Sequence, residues 1–195
     1  MTKTVTRLFD TRAEAESAVR DLEALGIRHD DLSIVAHGGG VAHEGRSFAN
    51  RDADGDGEND AAEGAGKGAT VGGIAGAGAG LLAGLGMLAI PGIGPVVAAG
   101  WLASTALGAA AGAAAGGATG GILGALKDAG VTDEDAHVYA EGVRRGGALV
   151  SARVDDADAA RVQDVLDRRS GVDAATRGQV YRQEGWTMFD ANRQI

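Results

Sequence analysis

"TVTRLFDTRAEAESAVRDLEALG", residues 4–26, changes period once, and that change sets the fold class. "TVTRLF" alternates apolar and polar, the pattern of a half-buried strand. Thr11 and Glu14 then form the signature of a capping box, and Ala15, Ala18, Val19, Leu22 and Leu25 recur at helical spacing until Gly26 ends the run. "LSIVA" at 32–36 supplies a second strand, so residues 4–36 read as a strand–helix–strand unit. Residues 147–178 repeat the plan: "GALVSARV" as strand, Asp155 or Asp156 as cap, Ala159, Val162, Val165 and Leu166 as stripe, and Gly171 as stop. Sixteen positions separate Asp10 from Gly26 and Asp155 from Gly171, the mark of an internal duplication. Two such βαβ units pairing edge to edge predict an α+β fold: a split ferredoxin-like domain with its helices on one face of a four-stranded sheet. A third helix, "TDEDAHVYAEGVRRG" at 132–146, leads into the second unit.

Between the units the composition changes. Residues 68–126 contain no Asp, Glu, Lys, Arg or His, and the chain's 2 prolines, Pro91 and Pro95, both fall there, in "IPGIGPV". That reads as a turn with a helix on each side. The first arm carries Gly64, Gly68, Gly72, Gly76, Gly80 and Gly84. The second carries Gly100, Ser104, Gly108, Gly112, Gly116, Gly120 and Gly124, again at a step of four. Residues four apart share one ridge of a helix, so each arm would present a groove into which another backbone can settle. Glycine costs about 1 kcal/mol relative to alanine inside a helix, so such arms need close packing to persist. These glycines are therefore the candidate self-association residues. The domain plan is a first βαβ unit (1–37), an acidic flexible linker (38–66), a glycine-zipper helical hairpin (67–127), a second βαβ unit with its preceding helix (128–180), and a tail (181–195).

Charge and cysteine content narrow the function. A net charge of −9 with no clustered basic face argues against nucleic acid as partner. The absence of cysteine removes disulfides, thiolate nucleophiles and Cys-based zinc sites. "MTKTVTRLFDTRAEAE" has no apolar core of signal-peptide length, which predicts a cytoplasmic N-terminus. The charge-free hairpin is long enough to enter a membrane, so the expected partners are further copies of the chain and a lipid bilayer, with the protein in or associated with the cytoplasmic membrane.

One motif matches a metal loop. "DADGDGENDAAE", residues 52–63, fits D-x-D-x-D-G-x₅-E, with Asp52, Asp54, Asp56, Glu58, Asp60 and Glu63 as candidate calcium ligands. Calcium loops of this kind are held by helices on both sides. Here "HGGGVAHEGRSFANR" precedes and "GAGKG" follows, which favours an acidic tether and no cofactor. "HGGG" at 37–40 lacks the G-x-S-x-G elbow of a hydrolase, and "GAGKGAT" at 64–70 fails the phosphate-loop pattern at two positions. "GAGLLAG" at 78–84 follows no strand and belongs to the step-of-four row. His29, His37, His43 and His137 form no metal-binding pair. Tyr139, Tyr181 and Trp186 read as packing anchors, and the arginines of "VRRGG" as a helix end.

"TVTRLFDTRAEAESAVRDLEALGI", "GMLAIPGIGPVVAAGWLAST", "EDAHVYAEGVRRGGALVSARVDD" and "YRQEGW" together resemble the bacterial heat-induced or general stress protein family (YflT-like domain) in its form with a central glycine-rich hairpin. The resemblance implies stress-linked expression and a non-enzymatic role. The functional expectation is a non-enzymatic protein that self-associates through its glycine-zipper helices at or in the cytoplasmic membrane. The alternatives are a soluble self-assembling structural protein and a small-molecule sensor built on the duplicated domain.

Overall fold

The computed structural model describes residues 2–38, 86–90, 93–103, 105 and 121–190. The fold is α+β. In chain order the elements are β1 (Thr2–Phe9), α1 (Arg12–Ala24), a 3-10 turn (His29–Asp31), β2 (Leu32–His37), β3 (Gly86–Ile90), β4 (Gly94–Gly100), α2 (Gly121–Asp128), α3 (Asp133–Arg144), β5 (Ala148–Asp155), α4 (Asp156–Arg168) and α5 (Ala174–Gln183). The strands form one sheet in the order β1-β5-β2-β4-β3, with every neighbouring pair antiparallel. β5 therefore lies between β1 and β2, which run parallel to each other.

Alternation along the strands sends side chains to two faces, and each face has a core. On one, Val5, Phe9, Ile34, Val97, Val150 and Val154 meet the stripes of α1 (Ala15, Ala18, Val19, Leu22) and α4 (Ala159, Val162, Leu166). On the other, Leu8, Val35, Val96, Ala98 and Leu149 meet α2, α3 and α5 through Ile122, Leu126, Val138, Tyr139, Val143 and Tyr181. The expectation of helices on one face is thus corrected: helices cover both. The reason lies in strand composition. Val35, Val96 and Leu149 make the second face apolar, and an apolar sheet face has to be covered.

The Thr11 capping box forms as the sequence indicates: its hydroxyl accepts from Glu14 N–H, and the Glu14 carboxylate accepts from Thr11 N–H at 3.1 Å. The strand–helix parts of the two units correspond with their register moved by one residue. The helix caps that correspond are Thr11 and Asp155, and the left-handed residues that follow the helices are Gly26 (φ +93) and Ser170 (φ 66). Gly171 follows the left-handed residue and closes the helix through its N–H, which donates to Leu166 O at 2.9 Å. A Cβ there would lie 2.7 Å from Leu166 O and 3.0 Å from Arg7 Cβ, so it is glycine because the chain passes tightly against β1 and the end of α4. The second unit then departs from the first. In place of a second strand it makes a single bridge, Val172 to Leu8, and continues into α5.

The central turn lies where the prolines put it, but strands rather than helices flank it. Ile93 N–H donates to Ile90 O at 3.0 Å, and β3 and β4 pair from Ile90↔Gly94 to Gly86↔Ala98. β4 then adds the hairpin to β2. The helical reading of residues 86–100 fails because the run is rich in β-branched and apolar residues, and the bare edge of β2 offers them a ladder that a solitary helix would lack. Among the described residues of the expected hairpin, helical structure follows β4, at residues 101–103 and in α2. Among the described residues no helix is long and apolar enough to cross a membrane.

Candidate functional site

Most residues singled out from the sequence lie outside the described residues: Asp52, Asp54, Asp56, Glu58, Asp60 and Glu63, and also Gly68, Gly72, Gly76, Gly80, Gly84, Gly108, Gly112, Gly116 and Gly120. Gly124 is described. It lies on α2, and a Cβ added there meets nothing within 4 Å. Gly100 belongs to β4, not to a helix. Its φ is +86, and an added Cβ would stand 2.2 Å from Leu32 O.

The polar side chains that the fold does gather form two clusters, neither of which the sequence pattern identifies. The first is at the last turn of α3. Glu141 is 1% exposed, and Arg144 spans its carboxylate from Nε (2.8 Å) and a terminal nitrogen (2.5 Å), while Arg145 Nε donates at 2.7 Å. Arg145 also pairs with Glu184 on the turn after α5, and its guanidinium lies 4.0 Å from the centre of the Tyr181 ring. Trp186 completes the packing edge-to-face on Tyr181 at 5.9 Å. Burial pushes the Glu141 carboxyl up, yet the hydrogen bonds and charges of both arginines outweigh it and hold the group below the usual carboxylate range. The arginines of "VRRGG" thus serve a buried acid one turn back, and the helix is closed instead by Gly146 (φ +101), with Gly147 N–H donating to Gly142 O at 3.0 Å.

Beside this cluster, His37, Arg144, Arg145 and Gly146 line an open hollow of about 460 Å³. The two guanidiniums there are already met by two carboxylates, so the hollow has little field left with which to hold an anion.

The second cluster lies beneath α3. The Tyr139 hydroxyl donates to Thr6 O at 3.0 Å and accepts from Ala174 N–H at 3.2 Å, tying β1, α3 and α5 together. Burial pushes this phenol up to about 12. Alongside it, Thr6, Ser151, Ser33 and Gly100 stand opposite one another across β1, β5, β2 and β4, a row of small residues on one rung. Thr6 and Ser151 share a hydroxyl–hydroxyl bond of 3.0 Å, and Ser33 donates to Ala99 O at 2.9 Å. The row is satisfied internally.

Among the described histidines, His29 is 3.7 Å from Glu23 and His137 is 3.9 Å from Asp133; His43 lies outside the described residues. Among the described residues no group of three or more His, Cys, Asp or Glu is placed to hold a metal ion. Tyr139, Tyr181 and Trp186 are buried packing residues, as their isolation in sequence suggests. Comparison with protein-family models, with curated proteins and with solved structures finds no match to this chain.

Proposed function

We propose that this is a non-enzymatic, self-associating protein whose folded module holds two small-residue segments and offers them to further copies. The observation that carries this reading is the register of the β3–β4 hairpin. Gly86 stands opposite Ala98 at the strands' open end. In sequence the first step-of-four row ends at Gly84, two residues before β3, and the second resumes at Gly108, after β4. Both rows therefore adjoin the same end of one hairpin along the chain, and step-of-four glycine is what close backbone packing requires.

Assembly is favoured over spanning because the most apolar stretch of the chain is spent on the sheet. Ile90, Ile93, Val96, Val97 and Leu102 are all core residues. We read the module itself as a ferredoxin-like fold with additions. The order β1-β5-β2, with Val172 bridged to the outer side of β1, follows that fold's strand order; the β3–β4 hairpin and the second helical layer extend it. Stress-linked expression is the physiological setting that the family resemblance implies.

The test is the native mass of the full chain by sedimentation, together with its fractionation with and without detergent. An oligomer that loses mass in Gly76→Leu and Gly112→Leu, while the module's circular dichroism is unchanged, is the expected outcome. A chain monomeric at all concentrations would overturn the reading, and recovery only in detergent would return the bilayer as partner.

A further inference from the structure

The two edges of the sheet are unlike. β1 is a guarded edge: it carries Lys3 and Arg7, Arg7 is held by Asp167 at 2.7 Å, and Leu8 exchanges both backbone hydrogen bonds with Val172, at 2.9 and 2.8 Å. Charge and an occupied ladder are the usual means by which an edge is kept from pairing. β3 has neither. Its sequence, GMLAI, contains no charge and no proline, its pairing with β4 is unbroken over all 5 residues, and no strand stands on its outer side among the described residues. Such an edge is a template for another strand.

We infer that β3 pairs antiparallel with β3 of a second copy of this chain, joining two five-stranded sheets into one. This deepens the self-association reading, on which it rests, by naming the surface.

The argument for a second copy is one of charge. The chain carries −9, so two copies repel over most of their surfaces. Residues 68–126 contain no charged residue, and β3 lies in the middle of that run, so copies meet there at the lowest electrostatic cost. A charged partner would find nothing to complement. An identical strand is also self-complementary. About a two-fold axis at Leu88, Gly86 stands opposite the partner's Ile90 and Met87 opposite the partner's Ala89, each pair setting a small residue against a large one.

The chain has no cysteine, which makes the test direct. Met87→Cys, Leu88→Cys and Ala89→Cys are made singly in the full-length protein, with Lys3→Cys on β1 as control, and each is oxidised with diamide at low protein concentration. The expected result is covalent dimer strongest for Leu88→Cys, weaker at its neighbours and absent for Lys3→Cys. In parallel, Leu88→Lys places like charges on the axis and shifts the sedimenting species to monomer mass without altering the circular dichroism. If the native oligomer persists while none of the three β3 variants cross-links, or if Lys3→Cys cross-links equally, this interface is wrong and self-association survives elsewhere. If the unmodified chain is monomeric, the parent reading falls with it. Should Leu88→Lys fail to fold, the cysteine series alone decides.

Discussion

Gly100→Ala separates the sheet from the zipper by the sign of its effect. In a helical arm, replacing glycine by alanine stabilises by about 1 kcal/mol. In β4 the same change should be severe. At φ +86 any side chain is strained, at a cost of about 1–2 kcal/mol. The new Cβ also falls 2.2 Å from Leu32 O and 2.8 Å from Ser33 Cα. Both are backbone atoms of β2, which is pinned between β4 and β5, so relief requires a strand to move and adds about 1–3 kcal/mol. The expected loss is about 2–5 kcal/mol, or a fall in Tm of roughly 10 °C for a chain of this length. Two other glycines calibrate the measurement. Gly130 has φ +84 but open space around it, so Gly130→Ala should lose only the strain of about 1 kcal/mol. Gly124 is helical and open, so Gly124→Ala should gain about 0.5–1 kcal/mol. Urea denaturation at constant m reads all three. A Gly100→Ala variant as stable as the parent would refute the placement of residues 94–100 in the sheet and restore the helical arm.

Four further outcomes follow from the polar clusters, an exposed ion pair and the second helix end. Burial raises the Tyr139 phenol from its ordinary value near 10 to about 12, so its contribution to stability is complete below pH 10 and is lost as pH rises toward 12; Tyr139→Phe should flatten that alkaline fall in urea denaturation and cost about 1–2 kcal/mol at neutral pH. The Glu141 carboxyl is held down by its arginines against the cost of burial, so the stability it contributes is present above the ordinary carboxylate pKa and is lost as pH falls through its lowered value. Glu141→Gln should cost about 2–3 kcal/mol in the same assay, discounted from a fully buried pair because Arg145 is 33% exposed. Arg182→Ala should stay within about 0.5 kcal/mol, because its partner Glu134 is 76% exposed. Ser170 sits at φ 66, and Ser170→Gly should stabilise by about 0.5–1 kcal/mol, raising Tm by a few degrees.

The parts of the fold that could be read from residues were those in which local chemistry and tertiary role agree. Thr11 and Glu14, three residues apart, form their box from local groups alone, and the stripes of α1 and α4 are buried as their period demands. The central hairpin was misread because its glycines satisfy two patterns at once. A step of four from Gly100 onward fits a helix, whereas Gly86 to Gly100 also fits two short strands around a turn; only the unpaired edge of β2 decides between them, and that edge is far away in sequence. The one-residue slip in the duplication has a similar origin. A glycine signals the end of a helix equally well by adopting positive φ, as Gly26 does, or by letting the chain pass close to a strand, as Gly171 does. Glu141 was not recognised because an acid and two arginines at the end of a helix look like a solvated surface, and burial of the acid depends on α5.

The described glycines also bear on what the undivided runs of small residues are for. Within the module, glycine repeatedly marks a position where another group comes too near for any side chain. A Cβ on Gly142 of α3 would lie 2.2 Å from Leu8 Cδ2, one on Gly147 would lie 2.8 Å from Phe9 O, and one on Gly38 would lie 2.9 Å from Pro95 O. Gly142 lies one turn after Tyr139 on the side of α3 packed against β1, where the missing side chain leaves room for Leu8 and Tyr139 reaches Thr6 O. Close approach of one segment to its neighbour at a glycine is therefore already used inside one copy. The step-of-four rows at 68–84 and 108–120 repeat glycine without charge, and the same rule applied between copies is the assembly we propose, which Gly76→Leu and Gly112→Leu are chosen to test.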